Sequence, residues 1–109
     1  MTADRLGAAL ARLWATVAAR RGASPESSYT AKLIAAGPSG VARKLGEEAL
    51  EAVIEAVKGD PAALTRESAD LLYHLLVLWA AAGVSPDDVA AELTRREGTS
   101  GIAEKNSRK

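Results

Sequence analysis

Apolar residues recur along this chain at helical spacing. Between Ala3 and Arg21 they fall at Leu6, Leu10, Leu13, Trp14 and Val17, which predicts an amphipathic helix with one buried stripe. Gly22, Ser24 and Pro25 stop it. Ser28-Tyr29-Thr30-Ala31-Lys32-Leu33-Ile34 predicts a short helix or turn-helix, ended by Gly37-Pro38. A third helix opens at Ser39 or Gly40 and runs to about Lys58. Gly59 ends it, Asp60 caps the next helix, and Pro61 takes the first helical position. This fourth helix continues through Trp79 to about Ala82, with Gly83 as its stop. Ser85-Pro86-Asp87-Asp88 is a second cap-plus-proline start with acid in the first turn, and the fifth helix ends near Glu97-Gly98. Residues 98–109, polar and basic at their end, read as a mobile tail. No run of β-branched residues alternates with polar ones. The expected fold is therefore all-α: a small bundle of about five helices in one domain over 1–109, its short connections making the central helices antiparallel.

The fourth helix carries an anomaly. Leu71, Leu72, Leu75, Leu76, Val77, Leu78 and Trp79 make it apolar nearly all round, the pattern of a central, buried helix. Yet Glu67 and Asp70 project from one of its faces, with His74 one turn further on. These two carboxylates are expected to face protein, where a charge is costly unless paired or bound to a metal. They lie too far past Pro61 for the helix-start dipole to be a full explanation. On the third helix, Lys44, Glu47, Glu48, Glu51 and Glu55 share a sector of roughly 100°, with Leu50, Val53, Ile54 and Val57 on the other side. Taken alone, that sector is most simply a solvated face. Like charges at i, i+3 and i, i+4 argue mildly against this, because they repel. Carboxylates from two facing helices make a site of oxygen donors for a hard cation, and magnesium suits it if a substrate phosphate completes the shell. A di-iron bundle would need Glu-x-x-His on two helices. The single histidine, His74, does not stand in that spacing after Glu67.

Composition narrows the classes. At 48% hydrophobic and 26% charged, the 109 residues are globular in type, and the absence of Phe leaves a core of Leu, Val, Ile and Ala. The 14 basic and 14 acidic residues cancel, which argues against a nucleic-acid or anionic-membrane binder. The lack of cysteine excludes disulfides, zinc-thiolate sites and iron–sulfur clusters. Arg5 and Arg12 interrupt any signal-peptide core, and the apolar run from Leu71 to Val84 is too short to span a bilayer. A cytoplasmic protein is expected. The fourth helix has more apolar surface than the remaining helices readily cover, so self-association is expected too.

Glu47-Glu48-x-x-Glu51 followed by Glu67-x-x-Asp70 resembles the signature of the all-α, MazG-like nucleotide pyrophosphohydrolases. Three further segments narrow the likeness: Ser28-Tyr29-Thr30-Ala31-x-Leu33, Arg43-Lys44-Leu45-Gly46-Glu47-Glu48-Ala49-x-Glu51, and Glu67 through Leu78 with its Asp70-Leu71-Leu72-Tyr73-His74 core. These, with Gly98-Thr99-Ser100-Gly101-Ile102-Ala103-Glu104-Lys105, are similar to the phosphoribosyl-ATP pyrophosphohydrolases, and the resemblance covers nearly the whole chain.

The resemblance implies magnesium-dependent hydrolysis of phosphoribosyl-ATP to phosphoribosyl-AMP and pyrophosphate, the second step of histidine biosynthesis. It also implies a homodimer with the substrate cleft at or near the interface. By the family pattern Glu48, Glu51, Glu67 and Asp70 are the metal ligands, and Glu47 is either a further ligand or the group that orients the attacking water. Lys44 either contacts a phosphate or pairs with Glu47 or Glu48, and Thr30 and Lys32 line the substrate pocket. His74 reads as a satisfied core or interface histidine, and Tyr73 as a packed residue whose hydroxyl needs a partner. Lys105, Arg108 and Lys109 either close over the anionic substrate or form a solvated tail. The family is often fused to a cyclohydrolase; none of that domain's metal motifs occurs here, so a stand-alone form is expected. Two competing readings use the same residues: a pyrophosphohydrolase of damaged or surplus nucleoside triphosphates, and a non-enzymatic helical dimerisation module.

Overall fold

The structure is a computed structural model, and it describes residues 2–108. Among these, six helices run in order: α1 (Thr2–Ala19), α2 (Tyr29–Ala35), α3 (Pro38–Lys58), α4 (Pro61–Ala82), α5 (Pro86–Arg95) and α6 (Gly101–Ser107). No strand occurs among the described residues. The all-α expectation holds, with one helix more than the pattern suggested.

Local chemistry sets the boundaries. Between α3 and α4, Gly59 takes a left-handed conformation (φ 75°), which a side chain would strain, and its N–H reaches back to the carbonyls of Ala56 and Glu55. The side chain of Asp60 then accepts from the backbone N–H of Ala63 at 3.0 Å, and Pro61 occupies the first turn. So tight a connection folds α3 and α4 into an antiparallel hairpin, the most extensive helix pair in the molecule. Ser85 and Asp88 form a reciprocal capping box at the start of α5.

The core gathers at one end of this hairpin. Val17 of α1, Leu33 of α2, Val41 at the start of α3, and Val77 and Ala80 late in α4 pack together, with Leu13, Trp14, Ile34 and Tyr73 against them. Of these, Val17, Val41 and Val77 are fully enclosed, each worth about 1.5–3 kcal/mol relative to exposure. The other end of the hairpin is a two-helix ribbon. There Leu50, Val53, Ile54 and Val57 of α3 are exposed, Val57 at 82%. The face of α3 that carries Glu48 and Glu55 leans toward α4 instead, and Glu55 is only 15% exposed. The usual arrangement of an amphipathic helix is thus reversed: apolar outward, acidic inward. The radius of gyration, 15.7 Å, exceeds the roughly 13 Å of a close-packed chain of this length.

Residues 101–107, expected to continue as an irregular tail, form α6. Ser100 caps it by accepting from Ala103 N–H. Its anchor is electrostatic. The Glu104 carboxylate, 5% exposed, accepts from Arg95 Nη2 at 2.5 Å and lies 3.9 Å from Arg96 Nε and 3.7 Å from Arg108 Nε. No single helix is long and apolar enough to cross a membrane among the described residues.

Candidate metal and substrate site

Antiparallel pairing of α3 and α4 brings Glu48 opposite Glu67 and Asp70. One carboxylate oxygen from each lies within 4.8 Å of the others. The i, i+3 spacing aims Glu67 and Asp70 the same way, and Glu48 meets them from the inward face of α3. Glu67 is half-buried, and its carboxyl is held above the ordinary range, first by partial loss of hydration and then by the negative charges of Asp70, Glu48, Glu51 and Glu55. The charges of Glu51 and Glu55 thus reach Glu67, although neither residue belongs to the tightest group. Glu55 is the acid that the family pattern leaves out of the ligand set. Its position one turn after Glu51 was the available signal, and its low exposure now sets it beside the cluster with Lys58 at 3.3 Å.

Asp70 is exposed, not turned to protein as its apolar neighbours suggested. Its side chain on α4 sits opposite Glu48 of α3 and still meets solvent. Glu47 stands apart from the cluster. It is exposed and pairs across one turn with Lys44 at 3.8 Å. Lys32 is exposed near the end of α2.

Thr30 is fixed from α4. Its hydroxyl shares a 2.5 Å hydrogen bond with the Tyr73 hydroxyl, giving the tyrosine the partner it needs. Tyr73 follows Asp70 by one turn, so this bond holds α2 beside the acidic cluster. His74 is buried; its Nδ1 lies 2.8 Å from the Asp70 carbonyl, an acceptor, so Nδ1 carries the proton. Its Nε2 has no hydrogen-bond partner among the described residues. The ring therefore ties down the helix that presents Asp70 rather than joining the cluster.

The donor set is oxygen only and contributed by facing helices, which fits a hard divalent cation such as magnesium and not a thiophilic or imidazole-seeking metal. An all-α hairpin with a carboxylate cluster across its seam defines the class: a small helical protein built around an acidic, cation-compatible cleft. The sequence model of the phosphoribosyl-ATP pyrophosphohydrolase family matches residues 10–97. A phosphoribosyl-ATP pyrophosphatase of Azospirillum brasilense is 64% identical over 110 residues, which cover 100% of this chain and 99% of the relative. That of Dinoroseobacter shibae is 67% identical over 99 residues, 91% of this chain and 97% of the relative. That of Gluconobacter oxydans is 59% identical, over 91% of this chain and 74% of the relative. The chain belongs to the phosphoribosyl-ATP pyrophosphohydrolase family.

Proposed function

We propose that this protein hydrolyses phosphoribosyl-ATP to phosphoribosyl-AMP and pyrophosphate, with magnesium held by Glu48, Glu51, Glu67 and Asp70. The observation that carries this reading is the convergence of Glu48, Glu67 and Asp70 from two helices onto one point, with oxygen donors alone. Family membership and the names of the relatives support the substrate.

In the reaction, a water oxygen bonds to one of the phosphorus atoms flanking the α–β bridge. The bridging oxygen leaves with the departing phosphate, and the water loses a proton. The obstacle is charge, because the triphosphate repels both the nucleophile and the acidic site. A bound magnesium ion supplies neutralisation of the phosphate oxygens and Lewis acidity. The chain's own carboxylates do the rest. Glu48, Glu67 and Asp70 are too close to one another to be comfortable without a cation, and Glu67 already resists ionisation. Glu47 and Glu51 stay exposed beside Glu48 on α3, which leaves a carboxylate free to orient the water and take its proton. Thr30, Lys32 and Lys44 serve the substrate: Thr30 as a positioned hydroxyl, the lysines as cations for phosphate oxygens.

The outward apolar stripe Leu50, Val53, Ile54 and Val57 supports a homodimer in which a second copy covers α3.

Pyrophosphate release from phosphoribosyl-ATP, measured with and without magnesium, tests the proposal. Metal-dependent release preferring phosphoribosyl-ATP over dUTP and other free triphosphates is the expected result. A preference for free triphosphates would transfer the chain to the triphosphate-clearing reading. No release from any nucleotide, with no magnesium effect on melting, would leave only a dimerisation module.

A further inference from the structure

A cleft of about 610 Å³ lies between the end of α5 and α6, well along the chain from the carboxylate cluster. Arg96, Thr99, Ser100, Glu104, Lys105 and Arg108 line it. Its charge is opposite in sign to the acidic site. Arg96 spends only its Nε on Glu92, which leaves its terminal nitrogens free to donate. Arg108 approaches Glu104 through Nε alone at 3.7 Å, and Lys105 has no carboxylate partner among the described residues. Three cations with spare donors beside two hydroxyls make a receptor for a phosphate group.

Glu104 adds what a bare phosphate would not need. Its Oε1 is occupied by Arg95, but its Oε2 is buried and has no hydrogen-bond partner among the described residues. A buried carboxylate oxygen without a donor is costly, and an ionised carboxylate can only accept. The flanking Arg96 and Arg108 side chains are 40% and 57% exposed, so they can swing to admit a ligand. A group that brings an anion for the cations and a hydroxyl for Oε2 matches the polar walls of the cleft, and the carbon ring of a sugar can lie against the remaining wall, Gly101 and Ile102. A sugar phosphate is that group.

We propose that the α5–α6 cleft binds a phosphoribosyl group, its phosphate on Arg96, Lys105 and Arg108 and a ribose hydroxyl on Glu104. Such a group has two sources. One is the phosphoribosyl arm of the substrate, whose phosphate lies at the opposite end from the triphosphate; this version rests on the hydrolase reading. The other is a free sugar phosphate.

The test is a two-dimensional NMR titration of the full chain with ribose 5-phosphate, run beside steady-state kinetics on phosphoribosyl-ATP. Ribose 5-phosphate is expected to shift the amides of Thr99, Ser100, Lys105 and Arg108, and to bind about tenfold more weakly to the Lys105→Ala/Arg108→Ala double variant. Glu104→Gln is expected to keep inorganic phosphate binding but lose the preference for the sugar phosphate. Should that variant unfold α6, the double variant, which leaves the Arg95–Glu104 pair intact, still decides. If the source is the substrate's arm, KM for phosphoribosyl-ATP rises about tenfold in the double variant with kcat unchanged. If it is a free sugar phosphate, ribose 5-phosphate binds and KM stays put. Absence of any shift at millimolar ribose 5-phosphate, or equal binding by parent and double variant, overturns the proposal. A parent that releases no pyrophosphate sinks the hydrolase reading instead, and the titration still judges the cleft.

Discussion

Thr30 and Tyr73 share a hydroxyl–hydroxyl hydrogen bond of 2.5 Å across 43 positions of sequence. It is the polar tie between α2 and α4, and it joins α4 one turn past Asp70. Short helices such as α2 gain little from intrinsic propensity. What holds this one is the Ser28 cap, the burial of Ala31 and Leu33, and this bond. The same contact therefore serves the fold and the orientation of a proposed substrate ligand.

Tyr73→Phe removes one hydroxyl and leaves the Thr30 hydroxyl to find another partner. The expected cost is about 1 kcal/mol, seen as a drop in Tm of roughly 4 °C. If Thr30 contacts substrate, KM for phosphoribosyl-ATP rises severalfold while kcat holds. A variant with the parent's Tm and KM would mean the bond contributes nothing in solution.

Glu67→Gln tests the cluster through stability as well as activity. The raised pKa of Glu67 means the folded state disfavours its charged form, so at neutral pH a neutral side chain should relieve repulsion. The metal-free variant is expected to melt higher than the metal-free parent, and to lose most of the rise in Tm that magnesium gives the parent. Asp70→Asn should lower kcat by at least roughly 100-fold with the helical circular dichroism unchanged. An active Asp70→Asn variant would remove Asp70 from the metal site.

The outward face of α3 makes a prediction about assembly. Val53→Asp places a charge in the middle of the exposed Leu50, Val53, Ile54 and Val57 stripe. Within a monomer, a charge at a 57% exposed position costs almost nothing. Within a dimer it is buried and unpaired. Sedimentation equilibrium is expected to give a dimer for the parent and a monomer for Val53→Asp, with the variant's Tm lowered and independent of concentration. A monomeric parent at micromolar concentration would disprove the assembly.

The helix boundaries were legible because caps are local. Asp60-Pro61 and Ser85-Pro86 carry their own hydrogen-bond geometry, and Gly59 and Gly83 their own left-handed turns. The facing of α3 was not legible. A helical wheel separates an acidic sector from an apolar one, but which sector meets α4 depends on what else covers the helix. Among the described residues nothing covers the outward stripe, as the exposure of Leu50, Val53 and Val57 shows. For the same reason periodicity alone does not separate Glu47 from Glu48, neighbours in one sector; only the family pattern set Glu48 among the ligands, and one pairs outward with Lys44 while the other joins the cluster. Helix α6 escaped notice because it is short and has no apolar stripe. Its hold is the Glu104–Arg95 contact, and ion pairs leave no periodicity in a sequence.

That ion-pair hold makes the α5–α6 corner sensitive to acid in a predictable direction. Glu92 accepts from Arg95 Nε at 3.0 Å and Nη2 at 2.7 Å, and from Arg96 Nε at 2.9 Å. These bonds, Arg95 first, lower its pKa from 4.5 to about 2. A carboxyl with a depressed folded-state pKa stabilises the fold above its unfolded pKa, and that contribution disappears as pH falls through the folded value. The window is therefore from about 4.5 down to about 2. The group is exposed, so the effect is modest and weakens with added salt. Hydrogen exchange followed by NMR should show the amides of 86–107 losing protection across that window while the core amides of Val77 and Ala80 keep theirs. Glu92→Gln should show reduced protection of 86–107 already at pH 6 and a flatter response below it. Loss of protection in both regions at the same pH would mean that α5 and α6 unfold only with the whole molecule, and that Glu92 is not what secures them.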